Sequence, residues 1–212
     1  MSAEMLTRSL HLGLQEIEGV DPDAEQEAVL LAYLVLLQRW NKTYNLTAVR
    51  DPGQMITRHL LDSLAIFPWV GKGRLLDAGT GGGLPGVPLA IADPELEVTL
   101  LDSAGKKIRF LNHVRRELGL PNIMPVQGRL ESYVPEERFE SVVSRAFTDL
   151  ASFVDAARHL VGPETRLLAM KGRYPEAELG ELQDDVRVNS VEELTVPGLQ
   201  EERHLVIMSL IV

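Results

Sequence analysis

The sequence predicts an α/β fold. It reads as a mostly parallel sheet with helices on both faces, an antiparallel last strand and a helical extension in front. Three observations carry this. From Arg74 onward, short apolar runs alternate with helical stretches. A glycine-rich loop follows the first of those runs. The tail is β-type, with no helix between its last two runs.

The elements follow in order. Leu6, Leu10, Leu14 and Ile17 recur near the helical period. Asp21 and Pro22 predict an N-cap followed by proline at the first helical position. The helix opened there runs through Val29, Leu30, Tyr33, Leu37 and Trp40. A third pattern, Ile56, Leu60, Leu61, Leu64 and Phe67, follows the turn at Asp51-Pro52-Gly53. Residues 1–70 are therefore expected to be a helical region packed on the core, and 71–212 the sheet domain. Leu75-Leu76-Asp77, Val98 to Asp102, Ile123 to Val126, Ser141 to Ser144 and Thr165 to Met170 read as strands. Lys106 to Leu118 and Leu150 to Val161 read as helices between them. In the tail, Val186-Val188, Leu194-Val196 and Leu205 to Val212 read as strands, with Gly198 in the turn of a closing hairpin.

Composition excludes several chemistries. The chain has 212 residues, enough for one domain with an appendage. Cysteine is absent, which removes disulfides, thiolate metal sites and cysteine nucleophiles. The five histidines are scattered without metal-ligand spacing, so no metal is expected. The longest apolar run, Ala28 to Leu37, is ten residues, where a membrane span needs ~20. With Glu4 at the start and no apolar leader, the expected location is the cytoplasm.

The chemistry centres on Asp77-Ala-Gly79-Thr-Gly81-Gly82-Gly83-Leu84-Pro85-Gly86. Gly81 to Gly86 satisfies G-x-G-x-x-G, which suggests a dinucleotide. Read from Asp77, the loop is D-x-G-x-G-x-G, the pattern of S-adenosylmethionine methyltransferases. Asp102 ends the next strand and suits either ligand, since both present ribose hydroxyls. Charge separates them. A dinucleotide brings a pyrophosphate, whereas S-adenosylmethionine brings a sulfonium and an ammonium. Asp77 repels the first and attracts the second.

A wider set of motifs carries a resemblance. Trp40-Asn-Lys-Thr-Tyr-Asn-Leu-Thr47, Arg58-His-Leu-Leu-Asp-Ser63, the loop from Asp77 to Pro88, Leu101-Asp-Ser103 with Lys106-Lys107, Ser144-Arg-Ala146 and Lys171-Gly172 occur in this order. Together they resemble the RsmG family, also called glucose-inhibited division protein B, from about Leu36 to the last strand. The resemblance implies a class I, Rossmann-like methyltransferase with a seven-stranded sheet. It implies S-adenosylmethionine as cofactor and N7 of a guanine in 16S ribosomal RNA as target. It further implies cofactor contacts at Gly79, Leu84, Leu130, Glu131 and Arg145, beside Asp77, Gly81, Gly83 and Asp102. A small-molecule NAD-dependent oxidoreductase is the alternative, and a non-catalytic nucleotide-binding module a third reading.

Guanine N7 carries an in-plane lone pair and no proton, so direct transfer needs neither a base nor a covalent intermediate. A chain without cysteine and without an N-P-P-aromatic motif fits that chemistry. No acid or base is therefore assigned. Arg145 ends a central strand, where it contacts the cofactor or target, or forms a strand-end salt bridge. His59 and Asp62 share a helical face as a catalytic pair or as a satisfied histidine joint. Phe147 stacks on the target guanine or belongs to the core. Trp40, Asn41 and Asn45 line an entrance or cap a helix. Lys106, Lys107, Arg129 and Lys171 are candidate RNA contacts, with Arg109, Arg115 and Arg116 on the same helix as the two lysines; a solvated surface is the plain reading. The expected form is a monomer acting on naked rRNA or on the small ribosomal subunit.

The net charge of −10 argues against an RNA partner until it is divided. Residues 1–27 hold one basic and seven acidic groups, and 174–202 one basic and nine acidic. Residues 104–129 hold six basic groups against Glu117 alone. The acidity is peripheral, and the stretch after Asp102 is basic.

Overall fold

The computed structural model describes residues 2–145, 147 and 149–211. Ala146, which completes the Ser144-Arg145-Ala146 motif, and Val212, at the end of the last predicted strand, lie outside them.

Helices α1 (Ala3–Leu14) and α2 (Ala24–Tyr44) come first. The cap of α2 is Asp23, not Asp21. Asp23 Oδ1 accepts from Gln26 N at 2.8 Å while Gln26 Oε1 accepts from Asp23 N at 2.9 Å. This reciprocal box satisfies two end groups, an advantage that Asp21-Pro22 lacks. Gln26 also donates to Ile91 O at 2.8 Å, tying this cap to the sheet domain. Asn45 ends α2 in the left-handed conformation (φ 49°).

The third predicted helix is one run with a widened middle. It opens as α3 (Pro52–Met55), capped by Asp51, passes through a π-helical segment (Ile56–Leu61) and closes as α4 (Asp62–Leu64). A short α5 (Phe67–Val70) follows. Apolar residues at 56, 60, 61 and 64 fit either helical pitch, so the spacing does not reveal the widening. Such segments concentrate at functional sites, and this one carries Arg58 and His59, with Asp62 next after it.

The sheet has seven strands: β1 (Arg74–Ala78), β2 (Glu97–Asp102), β3 (Ile123–Gln127), β4 (Ser141–Ser144), β5 (Arg166–Lys171), β6 (Val186–Glu193) and β7 (His204–Leu210). Their order is β3-β2-β1-β4-β5-β7-β6. The first five are parallel, and β7 runs antiparallel between β5 and β6. Helices α6 (Gly86–Ala92), α7 (Gly105–Glu117), α8 (Leu150–Ala157) and α9 (Glu176–Leu179) fill the connections.

The hairpin is present, but Leu194-Val196 is not a strand of its own. β6 continues to Glu193, and Leu194 and Val196 are buried in the connection that also holds Gly198 (φ 77°). The polar edge strand R-V-N-S-V-E-E hides its length because edge strands carry charge against aggregation. The two loop residues are apolar because they plug the core.

Alternate strand residues feed two cores. Leu75, Val98, Leu100, Val143 and Leu168 join Leu10, Leu30 and Leu37 of the N-terminal helices in one cluster. Leu76, Ala78, Leu101, Val142 and Leu167 face Phe153 and Val154 of α8 in the other. The N-terminal helices thus share a core with the sheet and stand over one of its faces.

Candidate active site

The strand order reverses between β1 and β4, where open α/β sheets bind ligands at the carboxyl ends of their strands. Asp77 pairs with Leu100 on one side and Val143 on the other. Ser144 Oγ donates to Ala78 O at 2.8 Å and closes the β1–β4 end. Gly79 N and Thr80 N both donate to Leu101 O, at 2.9 and 3.1 Å, so the loop folds back over β2.

Within the loop, Gly81 has φ 62°, and a Cβ there would meet only Gly79 O, at 3.9 Å. The backbone at Gly81 is open to a close-approaching ligand. Gly83 serves packing instead: a Cβ would lie 2.5 Å from Val87 Cγ2 and 2.8 Å from Leu111 Cδ2. Leu84 is buried in the core behind the loop. From the helical layer, the buried Tyr33 donates to Gly82 O at 2.6 Å. Burial pushes its phenol far up, so it stays protonated as a donor.

Asp77 is fully buried. Its Oδ2 accepts from Thr80 Oγ1 at 2.6 Å and from Gly86 N, the first residue of α6, at 2.8 Å. Its Oδ1 has no hydrogen-bond partner. Burial pushes the carboxyl up to about 6, against the Thr80 and Gly86 bonds that pull it down. A carboxylate therefore stands where a pyrophosphate would seek the N-terminal amides of α6. Its free oxygen is an acceptor set for a cation.

Asp102 is the second anchor. Oδ2 accepts from Gly81 N at 3.0 Å, and Oδ1 from Ala104 N at 2.9 Å. Lys107 Nζ pairs with Oδ2 at 3.0 Å. A carboxylate offers about four acceptor positions, which leaves one for a ribose hydroxyl. Gly128 N donates to Asp102 O at 3.1 Å, bringing the β3 loop alongside, with Leu130 buried and Glu131 exposed in the short 3-10 turn that follows. The donor set fits S-adenosylmethionine: an unpartnered buried acceptor for its cationic end, an open glycine for its approach and a spare acceptor for its ribose.

Arg145 leaves β4 on the other side. Its Nη1 donates to Asp62 Oδ2 at 3.0 Å and to Arg58 O at 3.2 Å. Arg203 Nε donates to Asp62 Oδ1 at 2.9 Å. A cavity of about 330 Å³ opens here, lined by Arg58, His59, Asp62, Arg145, Lys171 and Arg203 among others. Arg58 pairs with Glu201, and Lys171 Nζ with Glu178 at 2.7 Å. His59 Nε2 shares a 2.9 Å bond with Thr47 Oγ1, while its buried Nδ1 has no partner. Burial pulls the imidazole down to about 4, so it is neutral. Arg203 carries no motif, and only its contact with a carboxylate 141 residues earlier shows its place.

Other candidates resolve plainly. Asn41 bonds Thr47 through both its amide atoms and organises the turn after α2. Trp40 packs among Tyr44, Phe110 and His113. Phe147 packs on Phe153 at 5.3 Å. Lys106 Nζ is bound to Tyr44 O at 3.1 Å. Arg129 is exposed beside the 3-10 turn. No metal-competent cluster and no helix long and apolar enough to cross a membrane occur among the described residues.

Residues 26–206 match the family model described as rRNA small subunit methyltransferase G. A Pseudomonas aeruginosa protein of that name is 56% identical over 191 residues, covering 90% of this chain and 89% of its own. A Salmonella arizonae namesake is 50% identical over 190 residues, covering 90% and 92%. Among solved structures, a SAM-dependent methyltransferase from Aquifex aeolicus shares the fold, with TM-score 0.57 and 19% identity over 74% of this chain and 93% of that one. TrmN from Thermus thermophilus does so with TM-score 0.57 and 15% identity over 73% and 53%. The oxidoreductase alternative finds no support, and Asp77 at the start of α6 is the physical reason.

Proposed function

This chain belongs to the rRNA small subunit methyltransferase G family, and from that premise we propose that it methylates N7 of a guanine in 16S ribosomal RNA. It is an S-adenosylmethionine-dependent rRNA methyltransferase. The observation that carries the cofactor reading is the buried Asp77 carboxylate. It occupies the amide end of α6 and keeps one oxygen free.

When bound, the cofactor supplies an electrophilic methyl carried on a sulfonium. Asp77 attracts the cationic end and Asp102 holds the ribose. Gly79 and Gly81 admit close approach, Gly83 and Leu84 shape the loop behind, and Leu130 and Glu131 flank the adenosine side. Arg145 binds the carboxylate of the methionine part, and Asp62 aims it. The target nucleotide enters the cavity between the π-helical segment and β5, where the Arg203 guanidinium, held through Nε by Asp62, meets its phosphates, and Lys171 joins it only by leaving Glu178. Arg129 meets flanking RNA. Lys106 and Lys107 stand at the same rim but reach RNA only by leaving Tyr44 and Asp102. N7 needs no deprotonation, so neutral His59 has no proton to take, and rate comes from alignment. We place residues 1–70 as a helical layer on the 71–212 methyltransferase unit, working as a cytoplasmic monomer.

Calorimetry with the cofactor, its demethylated product and NAD tests the binding step. Micromolar binding of the first two without the third is expected, and Asp102→Asn weakens it at least tenfold. Mapping of 16S rRNA from cells with and without the protein tests the target. An unchanged guanine N7 pattern overturns it.

A further inference from the structure

We propose that the outer face of α7 is an RNA-backbone track, gripping the substrate strand beyond the target nucleotide and outside the cofactor crevice. The inference rests on the rRNA methyltransferase reading.

The basic stretch after Asp102 divides in two when its contacts are traced. Lys106 and Lys107, on the first turn of α7, are bound internally to Tyr44 O and Asp102. Arg109, Arg115 and Arg116 are exposed, and no carboxylate lies within ion-pair distance of them among the described residues. All three line one groove of about 840 Å³, together with Asn112 and Trp40. Trp40 packs on Phe110 and Tyr44, at ring-centroid distances of 5.5 and 5.2 Å. The groove therefore joins a packed aromatic side chain to cationic heads without ion-pair partners.

Guanidinium groups offer forked donors that match phosphate oxygens. Arg109 and Arg116 are seven residues apart, about 10 Å along the helix, a distance suited to successive points on a backbone. α7 begins three residues after Asp102 and runs away from the crevice. Arg109 is therefore nearer to it, and Arg115 and Arg116 are about 15 Å down the helix, where only the flank of a strand whose base reaches the crevice would meet them. The rest of the molecule points the same way. The chain is acidic overall, so three arginines without ion-pair partners, grouped in one groove, make a local attraction for a polyanion. Asp23 and Glu25 line the adjoining hollow that shares Gly119, Leu120 and Pro121, and they bound the patch at that end.

The test is the triple variant Arg109→Ala, Arg115→Ala, Arg116→Ala in the full-length protein, assayed on 16S rRNA. The side chains are exposed and without ion-pair partners, so the thermal midpoint and cofactor affinity should match wild type. The expected result is a KM for RNA raised roughly tenfold or more, kcat retained at saturation, and a salt slope of RNA binding shallower by about one for each phosphate no longer neutralised. Arg187→Ala, which removes an exposed arginine on the edge strand β6, should leave that slope unchanged, and an equal flattening there would overturn the assignment to this groove. An unaltered KM and slope in the triple variant overturn the track. So does a defect seen only on assembled subunits and not on naked rRNA, which would make the groove's partner a protein. If wild type fails to methylate 16S rRNA at all, the functional reading falls instead.

Discussion

Arg145 Nη1 lies 3.0 Å from Asp62 Oδ2 and joins the end of β4 to the helical layer. Asp62 is buried and takes Arg203 on its other oxygen at 2.9 Å. One carboxylate thus fixes two guanidiniums from segments far apart in sequence. Asp62→Asn keeps the shape but removes the charge. Both arginines remain partly exposed, which discounts the loss, so destabilisation of about 2 kcal/mol is expected. Because Arg145 loses its aim, cofactor affinity should fall at least fivefold, measured by calorimetry. Wild-type affinity in a folded variant would detach Arg145 from the cofactor.

Tyr33 ties the helical layer to the glycine loop through its 2.6 Å bond to Gly82 O. Tyr33→Phe leaves that carbonyl without its donor while preserving the ring packed on Phe110. A stability loss of about 1–3 kcal/mol is expected from the unsatisfied group. Cofactor affinity should fall with it, since Gly81 and Gly83 flank the released residue. Urea denaturation and calorimetry separate the two. A loss of stability alone would mean that the loop holds its form without the helical layer.

The strands were legible because buried parallel strands are continuous apolar runs, as in Leu75-Leu76 and Val142-Val143. The loop was legible because Asp77 and its glycines are contiguous. What stayed hidden depends on distant partners. Nothing local to Lys106 or Lys107 shows that Tyr44 and Asp102 hold them, so the lysines and the free arginines beyond look alike in sequence. Arg203 is invisible for the same reason. The π-helical segment escapes because its apolar spacing is compatible with an ordinary helix.

Asp77 links cofactor binding to pH. Burial raises its carboxyl to about 6, so below that pH it is neutral in the folded protein. A neutral acid no longer attracts an ammonium or sulfonium. Cofactor affinity should therefore weaken as pH falls through 6, approaching a tenfold loss per unit. Asp77→Asn should be weak at every pH and lack this dependence. Parallel pH profiles in the two proteins would assign the dependence to another group.

His59 and Asp77 bear on stability with opposite signs. His59 titrates near 4 in the fold, held neutral chiefly by burial, and at about 6.5 when unfolded. The unfolded chain binds the extra proton between those values, so stability is lost as pH falls from 6.5 toward 4, by about 3 kcal/mol in full. Asp77 is protonated first in the fold, so between pH 6 and 4 acidification favours the folded state by a similar amount, about 3 kcal/mol. The two offset each other over that range in wild type. His59→Gln removes one side of the balance. The variant's stability relative to wild type should then rise steadily from pH 6.5 to 4, whatever fixed penalty the lost Thr47 bond imposes. Urea denaturation at pH 7, 6, 5 and 4 reads this difference directly, and a constant gap would show that His59 takes up its proton at an ordinary pH in the folded protein.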